Sequence, residues 1–314
     1  MNGLLYRLLI QSGDKMKKLF IIIACILLIV YLGFVNNEVE DIGYSDKPIY
    51  WGYDNSVLYL SSKDNPKTPY SFMSDLDPKS YDEVPWFEYR DDIYKVIILD
   101  NKDKIMPISM AYWFGGMFNL CSIEGLNNIN TSCVTNMEYL FSSSELIEID
   151  LSTFDTGSVN NMRGLFFSCE ELTTLDLSSF NTSNVKDMIG MFFNCKNLVN
   201  LDLYSFDTSK VEHFSDMFEL CSKLERLDLS NFNTISATSM SYMFYSCKSL
   251  EYLDISSFDT SNVEFFDRIF GDPNDYIRNI DYSHFDFSKD RGFTADRYDD
   301  YNDYLYGVYD EVTY

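Results

Sequence analysis

Six aspartates recur at one phase of this chain: Asp150, Asp176, Asp202, Asp228, Asp254 and Asp281. The run Leu175-Asp176-Leu177 is typical of their setting. In an extended segment alternate side chains take opposite faces, so the leucines turn inward and the carboxylate outward. Stacked segments would then carry a carboxylate row on one face. Like charges at that spacing repel by about 1 kcal/mol per neighbour in water, so something must offset them. Hydrogen bonds from backbone N–H groups or from Ser152, Ser178, Ser230 and Ser256 would do so. A hard cation such as Ca2+, which takes 6–8 oxygens, is the alternative. Paired carboxylates also serve glycoside hydrolysis. That chemistry needs two different environments to split the roles of acid and base, and a row of identical residues offers one. No catalytic residue is assigned.

Two residues before each aspartate the chain varies: Glu148, Thr174, Asn200, Arg226, Tyr252 and Asn279. A varied strip beside a uniform one is the pattern of a binding surface on a concave sheet, although exposed positions also drift freely. Arg226 and Tyr252 are the candidate hot spot, since Arg and Tyr are enriched at such sites.

Sulfur gives a third in-phase set, Cys121, Cys169, Cys195, Cys221 and Cys247, with Cys133 off phase. Stacking would bring the set within disulfide reach. Their inward phase points instead to a column of buried free thiols. There is no C-x-x-C, which argues against zinc. The pairs Met191-Phe192, Met217-Phe218 and Met243-Phe244 read as core. Asn130-Thr131-Ser132 and Asn181-Thr182-Ser183 match a glycosylation sequon, and both fall in the turn of a repeat. The two histidines, His213 and His284, lie far apart. There is no Gly-rich phosphate loop, nucleophile elbow or metalloprotease motif.

These phases come from one module. The segments beginning at Leu165, Met191, Met217 and Met243 align residue for residue with a period of 26. Earlier units start at Met117 and Leu140, and a decaying one starts at Ile269, with Pro273 in the cysteine position. Within a unit, Leu172-x-x-Leu175-x-Leu177 predicts a strand. Asn181-Thr182-Ser183 predicts a turn and helix N-cap. Val185, Met188, Phe192 and Cys195 then follow at the spacing of one face of a short helix. Neither element buries its apolar side alone, so units must stack at about 4.8 Å into one core.

The strand part resembles the leucine-rich repeat. The whole pattern M-F-x-x-C-x-x-L-x-x-L-D-L-S-x-F-[DN]-T-S-x-V-x-x-M resembles the repeat of BspA-like leucine-rich-repeat surface proteins of bacteria, strongly over 117–288 and weakly over 50–116. The resemblance implies an α/β leucine-rich-repeat solenoid of strand–turn–short helix units. It also implies display on the bacterial cell surface and adhesion to a protein or glycan on a host or neighbouring cell.

The ends of the chain complete the expectation. Residues 19–35 form an unbroken apolar run, at the short end of the roughly 17–25 residues that cross a membrane. Lys15, Lys17 and Lys18 precede it, and Glu38, Glu40 and Asp41 follow it. That charge order places the rest of the chain outside. Gly33-Phe34-Val35-Asn36 offers no small-residue cleavage pattern, which favours an uncleaved anchor over a cleaved signal that would release the protein. Met16-Lys17-Lys18 reads as a natural start, with 1–15 as an extension. The predicted organisation is a signal anchor or transmembrane segment at 1–37, an N-terminal β cap at 38–112, the solenoid at 113–288 and an acidic, Tyr-rich tail at 289–314. The 49 Asp and Glu against 24 Lys and Arg leave a net charge of −25, which opposes binding to nucleic acid. With 46% hydrophobic residues the chain is not a disordered acidic tract. The expected function is a non-enzymatic surface binding or adhesion protein without a cofactor. The alternatives are a structural spacer or self-associating wall component, and a Ca2+-dependent adhesin.

Overall fold

The computed structural model describes residues 48–64, 66–73, 76–100, 105–271 and 280–291. They belong to one compact unit, Tyr44–Tyr314. The apolar run at 19–35, Cys25, Pro273, Asn279 and the tail from 292 onward lie outside the described residues. Among the described residues no helix is long and apolar enough to cross a membrane.

The N-terminal part is a sheet that hands its edge to the repeats. Strands β1 (Pro48–Asp54), β2 (Val57–Ser61), β3 (Tyr70–Met73), β4 (Lys95–Ile98) and β5 (Ser122–Glu124) are ordered β3-β1-β2-β4-β5. The β-branched and aromatic runs Val57–Leu60 and Tyr94–Leu99 both read as strands in the sequence; the first lies within β2, and the second contains β4 with one extra residue at each end. β1 is antiparallel to both its neighbours, whereas β2, β4 and β5 run parallel. The sheet thus changes from hairpin to parallel stacking within one layer. Trp51, Trp86 and Trp113 meet edge to face beneath it, at 6.0 and 5.8 Å. The Trp86 Nε1–H donates to the Trp113 carbonyl at 2.7 Å, so the buried indole is satisfied. Inter-coil pairing begins at Ile105, which bridges to Ile129.

The short helix expected in each unit does not form, and among the described residues there is no α-helix. Its place is taken by a chain of overlapping turns. Met191, Phe193 and Cys195 each donate their N–H to the carbonyl three residues back. The intervening amides point the other way. Met188, Gly190, Phe192 and Asn194 donate to His213, Ser215, Met217 and Glu219 of the next coil, at 2.7–3.1 Å. An amide used between coils cannot close an i→i−4 helical bond. Backbone with positive φ at Gly164 and Ser168, Gly190 and Asn194, Asp216 and Leu220, and Tyr242 and Ser246 turns the chain back at four-residue intervals, which no α-helix permits. The class is therefore a sheet-and-turn solenoid of leucine-rich-repeat type rather than α/β.

The [DN]-T-S segment is likewise not a helix cap. Asn181 and Asp207 accept the N–H two residues on, forming Asx turns. The threonine between them is buried and bridges coils. Thr182 Oγ1 donates to the Asp207 carbonyl at 2.9 Å, and Thr208 Oγ1 to that of Asn233 at 3.0 Å. The Thr208 hydroxyl also accepts the Asn233 N–H at 2.8 Å. Thr131, Thr156 and Thr234 repeat the arrangement.

Aromatic rings fill the interior. Phe114, Phe141, Phe166, Phe192, Phe218, Phe244 and Phe270 form one column, with neighbouring ring centres 5.7–6.0 Å apart. Leu177, Leu203 and Leu229 and the in-phase methionines are buried around it, and Leu175 is half-buried.

Candidate binding face

The extended segment of each unit places its aspartate on the outside, as the alternation requires. Asp150, Asp176, Asp202, Asp228 and Asp281 are exposed and Asp254 is partly exposed. Each uses one oxygen locally. Asp150 Oδ1 accepts the Ser152 N–H, Asp176 that of Ser178 and Asp202 that of Tyr204, at 2.9–3.0 Å. Asp228, Asp254 and Asp281 do the same with Ser230, Ser256 and Ser283. Hydrogen bonds from the serine hydroxyl and N–H hold Asp150, Asp176, Asp254 and Asp281 below the usual carboxylate value. Those four therefore stay charged at neutral pH. Among the described residues, no group of three or more His, Cys, Asp or Glu is placed to hold a metal ion.

The varied strip divides in two. At one end Arg226 and Tyr252 sit in a closed ladder, β6 (Arg226–Asp228) parallel to β7 (Tyr252–Asp254). The Arg226 guanidinium lies 4.0 Å from the Tyr252 ring centre, a cation–π contact that joins the two hot-spot candidates to each other. At the other end Glu148, Thr174 and Asn200 line a groove of about 1160 Å3 together with Asp150, Asp176 and Asp202. Arg226 and Tyr252 are not among its lining residues. Sequence reasoning missed the groove's N-terminal wall, formed by Cys121, Ser122, Gly125, Leu126 and Asn127. That wall belongs to the first coil, where the repeat is least regular.

The sulfur column lies away from this face. Cys169, Cys195, Cys221 and Cys247 are buried free thiols, each donating to a phenylalanine carbonyl at 3.0–3.2 Å. Burial pushes Cys169 up to about 11 and Cys221 to about 12, so these sulfurs are poor nucleophiles at neutral pH. Cys121, expected in the same column, is instead exposed at the groove wall. Ser144 takes the sulfur's place in the coil between, 3.6 Å from the Cys169 sulfur.

A second carboxyl cluster went unnoticed in the sequence. Asp216 occupies the positive-φ slot that Gly164 and Gly190 fill in earlier coils, and it is buried. Glu219, one turn on, lies beside it, and its N–H donates to the Asp216 carbonyl at 3.1 Å. Burial, then the charge of Asp216, pushes Glu219 up to about 10. The pair sits in the turn wall and does not line the groove. A carboxyl whose folded value is raised stabilises the fold fully below the ordinary glutamate value of 4.5, and this contribution is lost as pH rises toward about 10. Glu219→Gln removes that loss. The stability of the variant relative to the parent is expected to grow steadily over this interval, as read by urea unfolding at several pH values. A gap that does not change with pH would contradict the assignment.

With this geometry in place, the chain can be set beside known proteins. The family model described as "Mycoplasma protein of unknown function, DUF285" matches residues 108–226 and 196–296, more than half of the chain. The chain belongs to the DUF285 family. The two matches overlap and together span the stacked coils from Ile108 onward. No curated protein matches the chain. Two solved structures are similar to this DUF285 protein. One is a leucine-rich repeat protein from Eubacterium ventriosum, 13% identical, covering 71% of this chain and 83% of that one with a TM-score of 0.25. The other is a leucine-rich repeat protein from Bacteroides ovatus, 14% identical, covering 70% and 77% with a TM-score of 0.21. The fold described above rests on this chain's own geometry rather than on either neighbour.

Proposed function

We propose that this DUF285 protein is a non-enzymatic binding protein that engages a protein partner through the face carrying the varied strip. The observation that carries the reading is the coincidence of Glu148, Thr174 and Asn200 with a groove on the exposed side of the array. The positions that change between otherwise uniform modules are the ones a partner would touch. The resemblance to BspA-like surface proteins supports display at the cell surface. The apolar run at 19–35 supports tethering there through the N-terminus, with the repeats outside.

A photo-cross-linking side chain tests this reading. It is placed at Thr174, exposed in the groove, and as a control at Lys186, exposed outside it. The expected result is a reproducible adduct of defined mass from position 174 in the native host and none from position 186. Adducts from neither position, or equally from both, would remove the face from consideration.

A further inference from the structure

Resting on that reading, we infer that the groove takes an extended polypeptide segment rich in Lys or Arg. Three independent observations define the occupant. The first is charge. Glu148, Asp150, Asp176 and Asp202 line the groove, and no Lys or Arg does. Asp150 and Asp176 accept hydrogen bonds from Ser152 and Ser178 that favour their ionised form, so protonation does not relieve the negative field. The groove is therefore complementary to cations.

The second observation is apolar surface. Ile123, Ile149, Leu175 and Val199 line the groove and are only half-buried, although their aliphatic side chains would gain from full burial. A bare polyamine would leave them wet. A polypeptide with aliphatic residues between its cationic ones would cover them, and the methylene stems of Lys and Arg would add to that cover.

The third observation is the backbone. At β6 and β7 neighbouring coils are joined in a regular ladder. Along the groove the pairing thins to single links, from the Thr173 N–H to the Ile147 carbonyl at 3.0 Å and from the Glu225 N–H to the Val199 carbonyl at 3.2 Å, with a lone bridge between Asn200 and Arg226. Residues 148–150 and 174–176 make no backbone hydrogen bond to each other, to 122–124 or to 200–202. Strand segments left open in this way are where an added extended chain finds main-chain partners. The combination of acidic groups, aliphatic floor and open main chain fits a basic polypeptide better than a glycan or a simple polycation.

Fluorescence anisotropy with the full chain tests the assignment. The probe is a labelled peptide of repeating Lys-Val-Lys-Thr, its acidic counterpart replaces each Lys with Glu, and spermine is the competitor. The variant E148Q/D150N/D176N/D202N neutralises the groove while each Asn keeps an oxygen for its Asx turn, and unchanged thermal melting verifies its fold. D228N/D254N removes two charges of the same row outside the groove. The expected result is salt-sensitive binding of the basic peptide, weakened at least tenfold by the groove variant and less than twofold by D228N/D254N. The acidic peptide and spermine should bind at least tenfold more weakly than the basic peptide. The inference is overturned by no binding of the basic peptide, by equal losses in both variants, or by spermine binding as tightly as the peptide. Such an outcome combined with a specific adduct at position 174 would leave a binding face with a different occupant. Failure of both tests would remove the face itself.

Discussion

Replacing Phe218 by alanine is expected to cost about 3–5 kcal/mol, the range for deleting a buried phenylalanine side chain. Its ring is fully buried, between Phe192 and Phe244, each 5.7 Å away and nearly parallel to it. Removing it opens a cavity in the middle of a seven-ring column, and the backbone cannot collapse to fill it. Phe218 N–H and the Phe192 and Met217 carbonyls are tied to neighbouring coils or to a cysteine sulfur. In a stacked array stability is the sum of unit and interface terms, and this position serves two interfaces. Phe114→Ala, at the end of the same column, breaks one ring stack instead of two. Urea unfolding should therefore rank Phe218→Ala as the more damaging change. An equal cost at both positions would show that the column does not transmit stability from coil to coil.

The stacked core was legible because its signal is redundant. Most coils repeat Leu, Phe, Met and Cys at the same phase, and most of those positions are buried where the phase predicts it, although Ile149, Leu175 and Leu253 are half-buried, Ser144 replaces one cysteine and Cys121 in the irregular first coil is exposed. The local backbone was not legible, for a specific reason. Val185, Met188, Phe192 and Cys195 are spaced for one face of a helix, but a chain of turns with alternate amides directed outward buries the same residues. The distinguishing sign is a pair of left-handed residues four positions apart in successive coils. Gly164, Gly190 and Asn194 hint at it. Tyr139, Asp216, Leu220, Tyr242 and Arg268 occupy equivalent slots and conceal it, because inter-coil hydrogen bonds override their reluctance to adopt positive φ.

The face was half legible for a related reason. Alternation around Leu175-Asp176-Leu177 places the carboxylates outside, and the structure keeps them there. Residue type alone favoured Arg226 and Tyr252, the two side chains with the most binding potential. What residue type does not encode is pairing. Those two occupy a closed ladder and stack on one another, a cross-strand pair that itself stabilises the sheet. Glu148 and Thr174 offer no comparable pair and Asn200 meets Arg226 only in a lone bridge, and beside them the groove lies open. The proposed binding surface thus falls where cross-strand pairing is sparsest, a feature that only the assembled coils carry.

Thr208→Val isolates the hydrogen bonds that hold one coil to the next. Valine matches threonine in shape, so the packing around the buried site stays filled. What disappears is one hydroxyl that donates to the Asn233 carbonyl and accepts the Asn233 N–H. Both main-chain groups then lose their partner at a partly buried position. A buried donor or acceptor left unsatisfied costs about 1–3 kcal/mol, so a total of about 2–4 kcal/mol is expected. Thr208→Ser keeps the hydroxyl and loses only a methyl group, and about 1 kcal/mol is expected for it. The comparison separates the two physical terms. A ranking of Val well below Ser in thermal or urea unfolding assigns the stabilisation to the hydroxyl bridge. The reverse ranking would assign it to side-chain packing, and the threonine column would then be another apolar ridge of the core.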